Sequence, residues 1–270
     1  MKNPVIVLVF LILFVASGCS IFKSSFVYLK DGSTFPVTYF SVDNINFVRV
    51  NETLYASDLE ITQERYKEFL KEIEVANPEK YKVCVVDTSV WKKYSFAGEH
   101  MPRVYFQHRA FKTYPIVGIS WEAANEYCQW LTEKAKSKFR HNTILIRLPT
   151  DEEWRLMIAK PNKDGFDVPC PNGFDNVINC YCFNHWVVDT ILNQAQDGGY
   201  FTVAADAYWA NRYGVRNAHG NVAEMTSDKQ VCKGGGWYDS FSNCSMYKST
   251  FYPLPSAEVG FRPIAIISKK

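Results

Sequence analysis

YGVRNAHGNVAE, residues 213–224, contains two glycines and two asparagines. Glycine and asparagine most readily adopt left-handed turn conformations, so this stretch predicts an irregular loop rather than a helix. The loop offers four hard oxygen donors, namely the side chains of Asn217 and Glu224 and the backbone carbonyls of Gly220 and Val222. Calcium takes about six to eight oxygens of these kinds. The alternative is that Asn217 and Glu224 only cap turns.

Five further short blocks flank this loop. They are EIT at 60–62, PIVGISW at 115–121, RLPTDEEW at 147–154, GGGW at 234–237 and GFR at 260–262. Taken in this order with the loop, the blocks resemble the formylglycine-generating-enzyme (sulfatase-modifying-factor) family over residues 58–266. The resemblance implies an α+β fold related to C-type lectins, with few short helices and strands and much irregular structure. An aromatic content of 16% agrees with irregular structure held by large side chains.

Local patterns predict several regular elements inside this framework. Thr62 and Ser120 each precede apolar residues at helical spacing, and each is a good N-cap residue. Thr150 stands three residues before Glu153, which is the pattern of a capping box. Alternating apolar and polar residues predict short strands between residues 31 and 58. Residues 76–113 show no regular pattern, so they are predicted to be a long aromatic-rich connection.

The N-terminus has the features of an export signal. Lys2 precedes an apolar run from residue 4 to 15 and small residues that end at Cys19. The run is shorter than the roughly 20 residues that a transmembrane helix needs. Small residues directly before a cysteine resemble a lipobox, in which Cys19 is acylated and becomes the first mature residue. The alternative is an ordinary cleaved signal followed by a structural cysteine.

These observations predict four segments: a signal peptide at 1–18, a lipidated tether at 19–30, short strands at 31–57 and the family domain at 58–266. Ser20, rather than an acidic residue, follows the cysteine. That choice favours sorting to the outer membrane, so we predict a lipid anchor there, with the protein on the periplasmic face.

Charge and cysteine content narrow the possible partners. Thirty basic residues stand against 28 acidic ones, a net charge of +2, without a basic block. The sequence therefore lacks the electrostatic pattern of a nucleic-acid-binding protein.

Eight cysteines are present, and an exported protein permits disulfides. Cys170 with Cys180 or Cys182 is one local option, but connectivity is left open by sequence. No histidine or second cysteine pair stands at zinc-ligand spacing from Cys180 and Cys182, so a zinc site is not expected there.

The family resemblance also implies two calcium sites. Asn217, Gly220, Val222 and Glu224 match the positions of one family site. The second family site uses an Asn side chain, the following carbonyl, an Asp and the carbonyl two residues later. The matching positions here are Asn184, His185, Asp197 and Gly199. Two bound ions would stabilise loops that lack regular hydrogen bonding, because their binding free energy adds to that of folding.

The family's oxidation chemistry depends on a thiol pair. Members that convert a substrate cysteine to formylglycine hold copper(I) between two cysteines five residues apart, and soft thiolates select this ion. Counted from the glycine turn, Cys244 stands at the first position and Ser249 at the second. A hard, protonated hydroxyl cannot replace a thiolate. Cys244 is thus a catalytic candidate with an incomplete pair, or a packed thiol, and copper is not expected.

Three functions remain open at this point. Residues 101–120 resemble the same region of gliding-motility and type IX secretion lipoproteins, which carry this domain in an assembly attached to the outer membrane. We therefore predict a non-catalytic, calcium-stabilised scaffold that contacts the membrane through its lipid and other envelope proteins through its surface. The alternative is a copper-dependent formylglycine-generating oxidase acting on exported cysteine substrates. A ligand-binding module is the third option, since the fold is related to lectins.

Overall fold

The structure is a computed structural model, and it describes residues 21–28, 32–94, 99–158, 161, 165–166 and 199–269. The strands are β1 Lys23–Tyr28, β2 Thr34–Val42, β3 Ile45–Arg49, β4 Leu54–Ser57, β5 Asn142–Arg147, β6 Ala223–Met225, β7 Val231–Lys233, β8 Thr250–Phe251, β9 Val259–Gly260 and β10 Ile264–Lys269. The α-helices are α1 Gln63–Ala76, α2 Pro78–Cys84, α3 Met101–Gln107, α4 Trp121–Lys138 and α5 Asp151–Leu156.

A six-stranded sheet joins the beginning of the described chain to its end. Its strand order is β1-β2-β3-β4-β10-β5, and all neighbours are antiparallel. Ile264 of β10 lies opposite Ala56 on one side and Arg147 on the other. The strands predicted between residues 31 and 57 therefore share one sheet with the family domain, because the last strand inserts beside β4.

The predicted tether at 19–30 contains a strand. Its residues Lys23–Tyr28 form β1, which pairs with β2 from Lys23 opposite Tyr39 to Tyr28 opposite Thr34. This strand has no clear sequence pattern, because β1 is an edge strand with mostly exposed side chains. Backbone hydrogen bonds, rather than burial of one face, hold it in place.

The three predicted helix starts are confirmed. The Thr62 hydroxyl accepts a hydrogen bond from Arg65 at the start of α1, and the Ser120 hydroxyl accepts one from Ala123 at the start of α4. Thr150 and Glu153 form both bonds of the capping box that begins α5. Each side chain thereby satisfies a backbone N–H that has no partner inside its helix.

Residues 76–113 are more regular than predicted. They include α2, α3 and two 3-10 helices, Thr88–Lys93 and Arg109–Phe111. Each of these elements has at most seven residues, which is too short to display a full amphipathic period. Of these elements, α2 begins with Asn77 as its cap residue and Pro78 at its first position.

A smaller four-stranded sheet lies at the C-terminal half, in the order β8-β7-β6-β9, with only β6 and β9 parallel. Trp154 and Trp237 are buried core residues, whereas Trp121 is only partly buried and donates its indole N–H to the carbonyl of Thr226 at 2.9 Å.

Four cysteines of the described chain, Cys84, Cys128, Cys232 and Cys244, are buried and do not pair with one another. Cys170, Cys180 and Cys182 lie outside the described residues. Among the helices that are described, none has both the length and the apolar content to cross a bilayer.

Candidate functional site

The loop at 213–224 adopts the irregular conformation that its glycines and asparagines predict. Asn217, Gly220 and Asn221 have φ values of 53°, 70° and 60°. Two backbone hydrogen bonds tie this loop to the glycine turn, from Gly220 N–H to the Gly234 carbonyl and from Trp237 N–H to the Asn221 carbonyl, each at 2.8 Å. Two separate sequence blocks therefore form one structural unit.

Glu224 lies at the centre of a buried polar network. Its Oε1 accepts from Arg262 Nε at 2.8 Å and lies 2.7 Å from Arg262 Nη2, and both side chains are inaccessible to solvent. Its Oε2 accepts from the indole N–H of Trp154 at 2.7 Å. Arg262 also donates to the carbonyls of Ser57 and Arg216. Arg262 is thus paired internally, and three sequence blocks meet at one carboxylate.

Glu60 is a second buried carboxylate in the same region. It accepts hydrogen bonds from Asn221 Nδ2 at 2.9 Å and 3.1 Å and from Asn217 Nδ2 at 3.3 Å. Burial raises the pKa of Glu60 to about 8, although the charge of Arg262 and the two asparagine amides oppose that shift. Within the described residues Glu60 has no ion-pair partner. The charged form is therefore costly unless a cation lies nearby.

The predicted first calcium site fits this geometry in part. Asn217 uses its amide nitrogen for Glu60 and for the Ala205 carbonyl, at 3.0 Å, while its buried Oδ1 has no hydrogen-bond partner. An unpartnered buried oxygen beside a carboxylate suits a calcium ion. Glu224, in contrast, already shares both its oxygens with Arg262 and Trp154. The carboxylate available next to Asn217 is that of Glu60, which the sequence did not single out.

The second predicted calcium site is largely outside the described residues. Asn184, His185 and Asp197 fall there, and only Gly199 is described, as a buried residue. Among the residues that the structure describes, there is no group of three or more His, Cys, Asp or Glu side chains able to hold a metal ion. A site built mainly from amide and carbonyl oxygens would not form such a group.

Cys244 is packed tightly against the glycine turn. The residue is buried, and its Sγ lies 3.6 Å from the Ser240 carbonyl. A Cβ placed on Gly235 would come within 2.7 Å of this sulfur. The Cys244 carbonyl also lies 2.8 Å from Nδ1 of His219, which fixes the backbone at this point.

Ser249 occupies a cationic environment. Its hydroxyl accepts a hydrogen bond from the Lys233 ammonium at 3.2 Å, and Lys233 forms an ion pair with Asp151 at 2.9 Å. The Lys233 side chain is buried, and burial lowers its pKa against the opposing influence of Asp151. A hydroxyl, an ammonium and a carboxylate are hard groups, and none of them is a ligand that copper(I) prefers.

The fold and this network define an α+β protein of the sulfatase-modifying-factor type. The chain belongs to the family of sulfatase-modifying factor enzyme 1-like domains, which it matches over residues 30–266. That range includes the strands at 34–57, in agreement with their place in the six-stranded sheet.

Relatives of this chain have both active and inactive names. It is 27% identical over 146 residues to the inactive C-alpha-formylglycine-generating enzyme 2 of Bos taurus, which covers 50% of this chain and 42% of that protein. It is 30% identical over 122 residues to the formylglycine-generating enzyme of Mus musculus, which covers 45% of this chain and 28% of that protein. The match thus spans less than half of either relative.

A solved structure shows the same fold. PvdO from Pseudomonas aeruginosa superposes with a TM-score of 0.53 over 91% of this chain and 92% of that protein, at 16% sequence identity. The predicted α+β family fold is therefore confirmed.

Proposed function

We propose that this protein is an outer-membrane-anchored lipoprotein whose sulfatase-modifying-factor domain is a non-catalytic scaffold. The observation that carries the proposal is the environment of Ser249. Where catalytic family members have a second thiol, this chain has a hydroxyl bonded to the ammonium of Lys233, which is itself paired with Asp151. Cys244 alone cannot supply the two soft ligands expected for copper(I).

The membrane anchor is supported by the N-terminal sequence. Residues 1–18 have the composition of a signal peptide and lead directly to Cys19. Several acyl chains on that cysteine would hold the protein firmly, since each buried methylene contributes about 0.8 kcal/mol. Mass spectrometry of the mature N-terminus tests this anchor, with Cys19→Ser as the variant that removes it. An unmodified Cys19 in membrane-extracted protein would contradict it.

The role in an envelope assembly is supported by the resemblance of residues 101–120 to gliding-motility and type IX secretion lipoproteins. In this chain the segment forms α3 and a 3-10 helix, and the Tyr105 hydroxyl ties it to the rest of the domain by accepting a hydrogen bond from the Thr202 hydroxyl at 3.0 Å. Several residues of the segment, Gln107 to Ala110 among them, are exposed and available to a partner. Purification of chemically cross-linked complexes from intact envelopes tests this role, with an uncross-linked sample as control.

Calcium is proposed as the ion that stabilises the loop at 213–224. Its ligands would be Asn217 Oδ1, the carbonyls of Gly220 and Val222 and the Glu60 carboxylate. Glu224 would not contact the ion directly but would support the loop through its pair with Arg262. The support is the unpartnered Asn217 oxygen together with the buried Glu60 carboxyl, whose pKa burial raises to about 8 and whose charged form a cation would stabilise. The ion would contribute binding free energy to folding and would take no part in chemistry.

The alternative function is a copper-dependent oxidase that generates formylglycine in exported substrates. One experiment separates it from the scaffold: the purified protein is loaded with copper(I), and a cysteine-containing peptide is offered under oxygen. We expect neither copper retention nor peptide oxidation. Ser249→Cys completes the thiol pair and serves as the positive comparison, while Cys244→Ser/Ser249→Cys removes the first thiol again. Peptide oxidation by the unmodified protein would refute the scaffold proposal.

A further inference from the structure

A cavity of about 570 Å³ lies where the described chain begins, next to the C-terminal end of α4. Its basic lining residues come from three places: Lys23 from β1, Lys138 from the end of α4, and Arg140 and His141 from the turn before β5. Among the described residues that line it there is no aspartate or glutamate. The apolar part of the lining is supplied by Ile21 and Phe139.

Lys138, which lines the cavity, differs from the other lysines near the end of α4 in having no carboxylate partner among the described residues. Lys134 and Lys136 on the same helix form ion pairs with Glu72 at 2.6 Å and Glu133 at 2.7 Å. Lys138 instead donates to the backbone carbonyl of Ser41 at 3.0 Å and has no carboxylate partner within the described chain. A helix C-terminus favours a cation in its last turn, and among the basic residues of the cavity this effect explains only Lys138. That effect does not extend to Lys23 on a separate strand.

The position of the cavity relative to the membrane follows from chain length, and this step rests on the proposed acylation of Cys19. Ile21 is two residues beyond Cys19, and each extended residue spans at most about 3.6 Å, so the two residues reach no further than about 7 Å. The polar headgroup layer on each face of a bilayer has a similar thickness of roughly 5–7 Å. Ile21, which lines the cavity, is thus held within reach of the headgroups.

We propose that this cavity binds the phosphate headgroup of an anionic lipid in the membrane to which the protein is anchored. Lys and Arg side chains are the usual phosphate ligands, and Ile21 and Phe139 would cover the apolar glycerol region of the lipid. A volume of about 570 Å³ is within the range of small-molecule sites. The bound lipid fixes the orientation of the domain, which a flexible anchor at Cys19 alone would leave free.

The test uses the acylated, full mature protein reconstituted into two kinds of vesicle. One contains phosphatidylcholine only, and the other contains equal parts of phosphatidylcholine and phosphatidylglycerol. Amide hydrogen exchange is followed at residues 21–24 and 138–142. The variant Lys138→Gln/Arg140→Gln removes two cations from the cavity. Lys71→Gln/Lys92→Gln is the matched control, because it removes the same charge from exposed residues outside the cavity.

We expect slower exchange on the phosphatidylglycerol vesicles. Each cation near an anionic surface strengthens lipid binding about fivefold. Loss of two cations should therefore abolish a slowing of amide exchange of up to roughly thirtyfold. The control variant should keep the slowing. Equal exchange on both vesicles would overturn the proposal, as would an equal loss in both variants, which indicates unspecific surface attraction. Slowing by inorganic phosphate on phosphatidylcholine vesicles would also overturn it, because the ligand would then be a free anion.

Failure of the anchor and failure of the headgroup site give different results. Absence of acyl chains from the mass of the mature protein refutes the anchor. An acylated protein whose exchange is insensitive to lipid charge refutes the headgroup site and leaves the anchor intact.

Discussion

Arg262 is a charged residue without solvent contact, and at the scale of single residues it determines how the buried network is arranged. Its guanidinium neutralises Glu224 and also satisfies the carbonyls of Ser57 and Arg216. A buried pair contributes little net stability compared with apolar residues, but removal of one partner leaves an uncompensated charge. Arg262 is therefore a structural residue on which the geometry of the loop at 213–224 depends.

Replacement of this side chain should be severe. We expect Arg262→Met to lower the free energy of unfolding by about 3–5 kcal/mol, since it leaves the Glu224 carboxylate buried without a cation. Arg65→Met is the control, because Arg65 forms a surface pair with Glu68 on α1 and should cost at most about 1 kcal/mol. Denaturant unfolding measures both. Equal effects of the two substitutions would contradict the proposed role of the buried pair.

Gly235 offers a second test at a single residue. Its φ is 65°, and an added Cβ would lie 2.7 Å from Cys244 Sγ and 3.0 Å from Cys244 Cα. Gly235→Ala should therefore lower the free energy of unfolding for two reasons. Overpacking against Cys244 should cost about 1–3 kcal/mol, and the left-handed backbone should add roughly 1–2 kcal/mol.

Gly32→Ala measures that strain alone, because Gly32 has a φ of 81° and an added Cβ would meet no atom of the described residues within 4 Å. The two variants are compared by thermal unfolding under the same conditions. A Gly235→Ala protein as stable as Gly32→Ala would show that the contact with Cys244 is loose.

At the scale of elements, α5 presents the best-defined start in the chain. Thr150 Oγ1 accepts from Glu153 N–H at 3.1 Å, and Glu153 Oε2 accepts from Thr150 N–H at 2.9 Å. This short helix carries Trp154 to Glu224 and Asp151 to Lys233, so its position affects both parts of the site.

Loss of the cap should be measurable in this helix. We expect Thr150→Ala to reduce the free energy of unfolding by about 1 kcal/mol. Thr62→Ala should cost less, because the corresponding bond from Arg65 N–H to the Thr62 hydroxyl is long, at 3.5 Å. The cap of α1 also lacks the second hydrogen bond that completes a capping box. Urea unfolding of the two variants compares the caps directly. The reverse order of effects would indicate that α1, rather than α5, depends on its cap.

The pH dependence of the same element follows from Glu153. Burial alone would raise the pKa of Glu153, but the hydrogen bonds and charge of Arg147 and the bonds of the cap outweigh it and hold the pKa below the ordinary 4.5. A depressed folded-state pKa gives stability that is present above the unfolded value and is lost as pH falls through the folded value.

Glu153→Gln should therefore be less stable than the unmodified protein at neutral pH, by about 1 kcal/mol. The difference should shrink as the pH falls below 4.5. Chemical unfolding across this range measures it. A constant difference at all pH values would mean that the charge of Glu153 makes no contribution.

At the scale of the whole molecule, the loop at 213–224 connects elements that are far apart in sequence. Glu60 precedes α1, Asn217 lies in the loop, and Arg262 lies between β9 and β10. A calcium ion held beside Asn217 and Glu60 would therefore stabilise the fold as a unit rather than one loop.

Calcium removal should accordingly lower the melting temperature. At a calcium concentration one hundred times its dissociation constant, the ion contributes about 2.7 kcal/mol, which corresponds to roughly 5–10 °C for a domain of this size. A chelator should produce that shift in the unmodified protein and none in Asn217→Gly, which loses Oδ1 but keeps its left-handed backbone. Asn44→Gly is the matched control, since Asn44 has a φ of 60° in an exposed turn. An unmodified protein that is insensitive to the chelator would refute the calcium proposal.

The sequence by itself determined the family, the α+β class and the starts of α1, α4 and α5. These features depend on residues close together in the chain: a capping hydroxyl, a glycine that permits a left-handed turn, or a short block in a fixed order. The same local information was insufficient for β1 and for the short helices between residues 76 and 113, where backbone pairing or packing, rather than a side-chain pattern, forms the element.

Only the tertiary structure decided which carboxylate is free to hold a cation. From the sequence, Glu224 and Asn217 are predicted to be joint ligands because they share a loop, whereas Glu60 is 157 positions from Asn217. Folding brings Arg262 and Trp154 to Glu224 and leaves Glu60 next to the unpartnered oxygen of Asn217. It also gathers Lys23, Lys138, Arg140 and His141 into one basic cavity, although the chain has no basic block. The physical reason is that charges interact through space, and the distances between distant residues are set by packing of the whole chain.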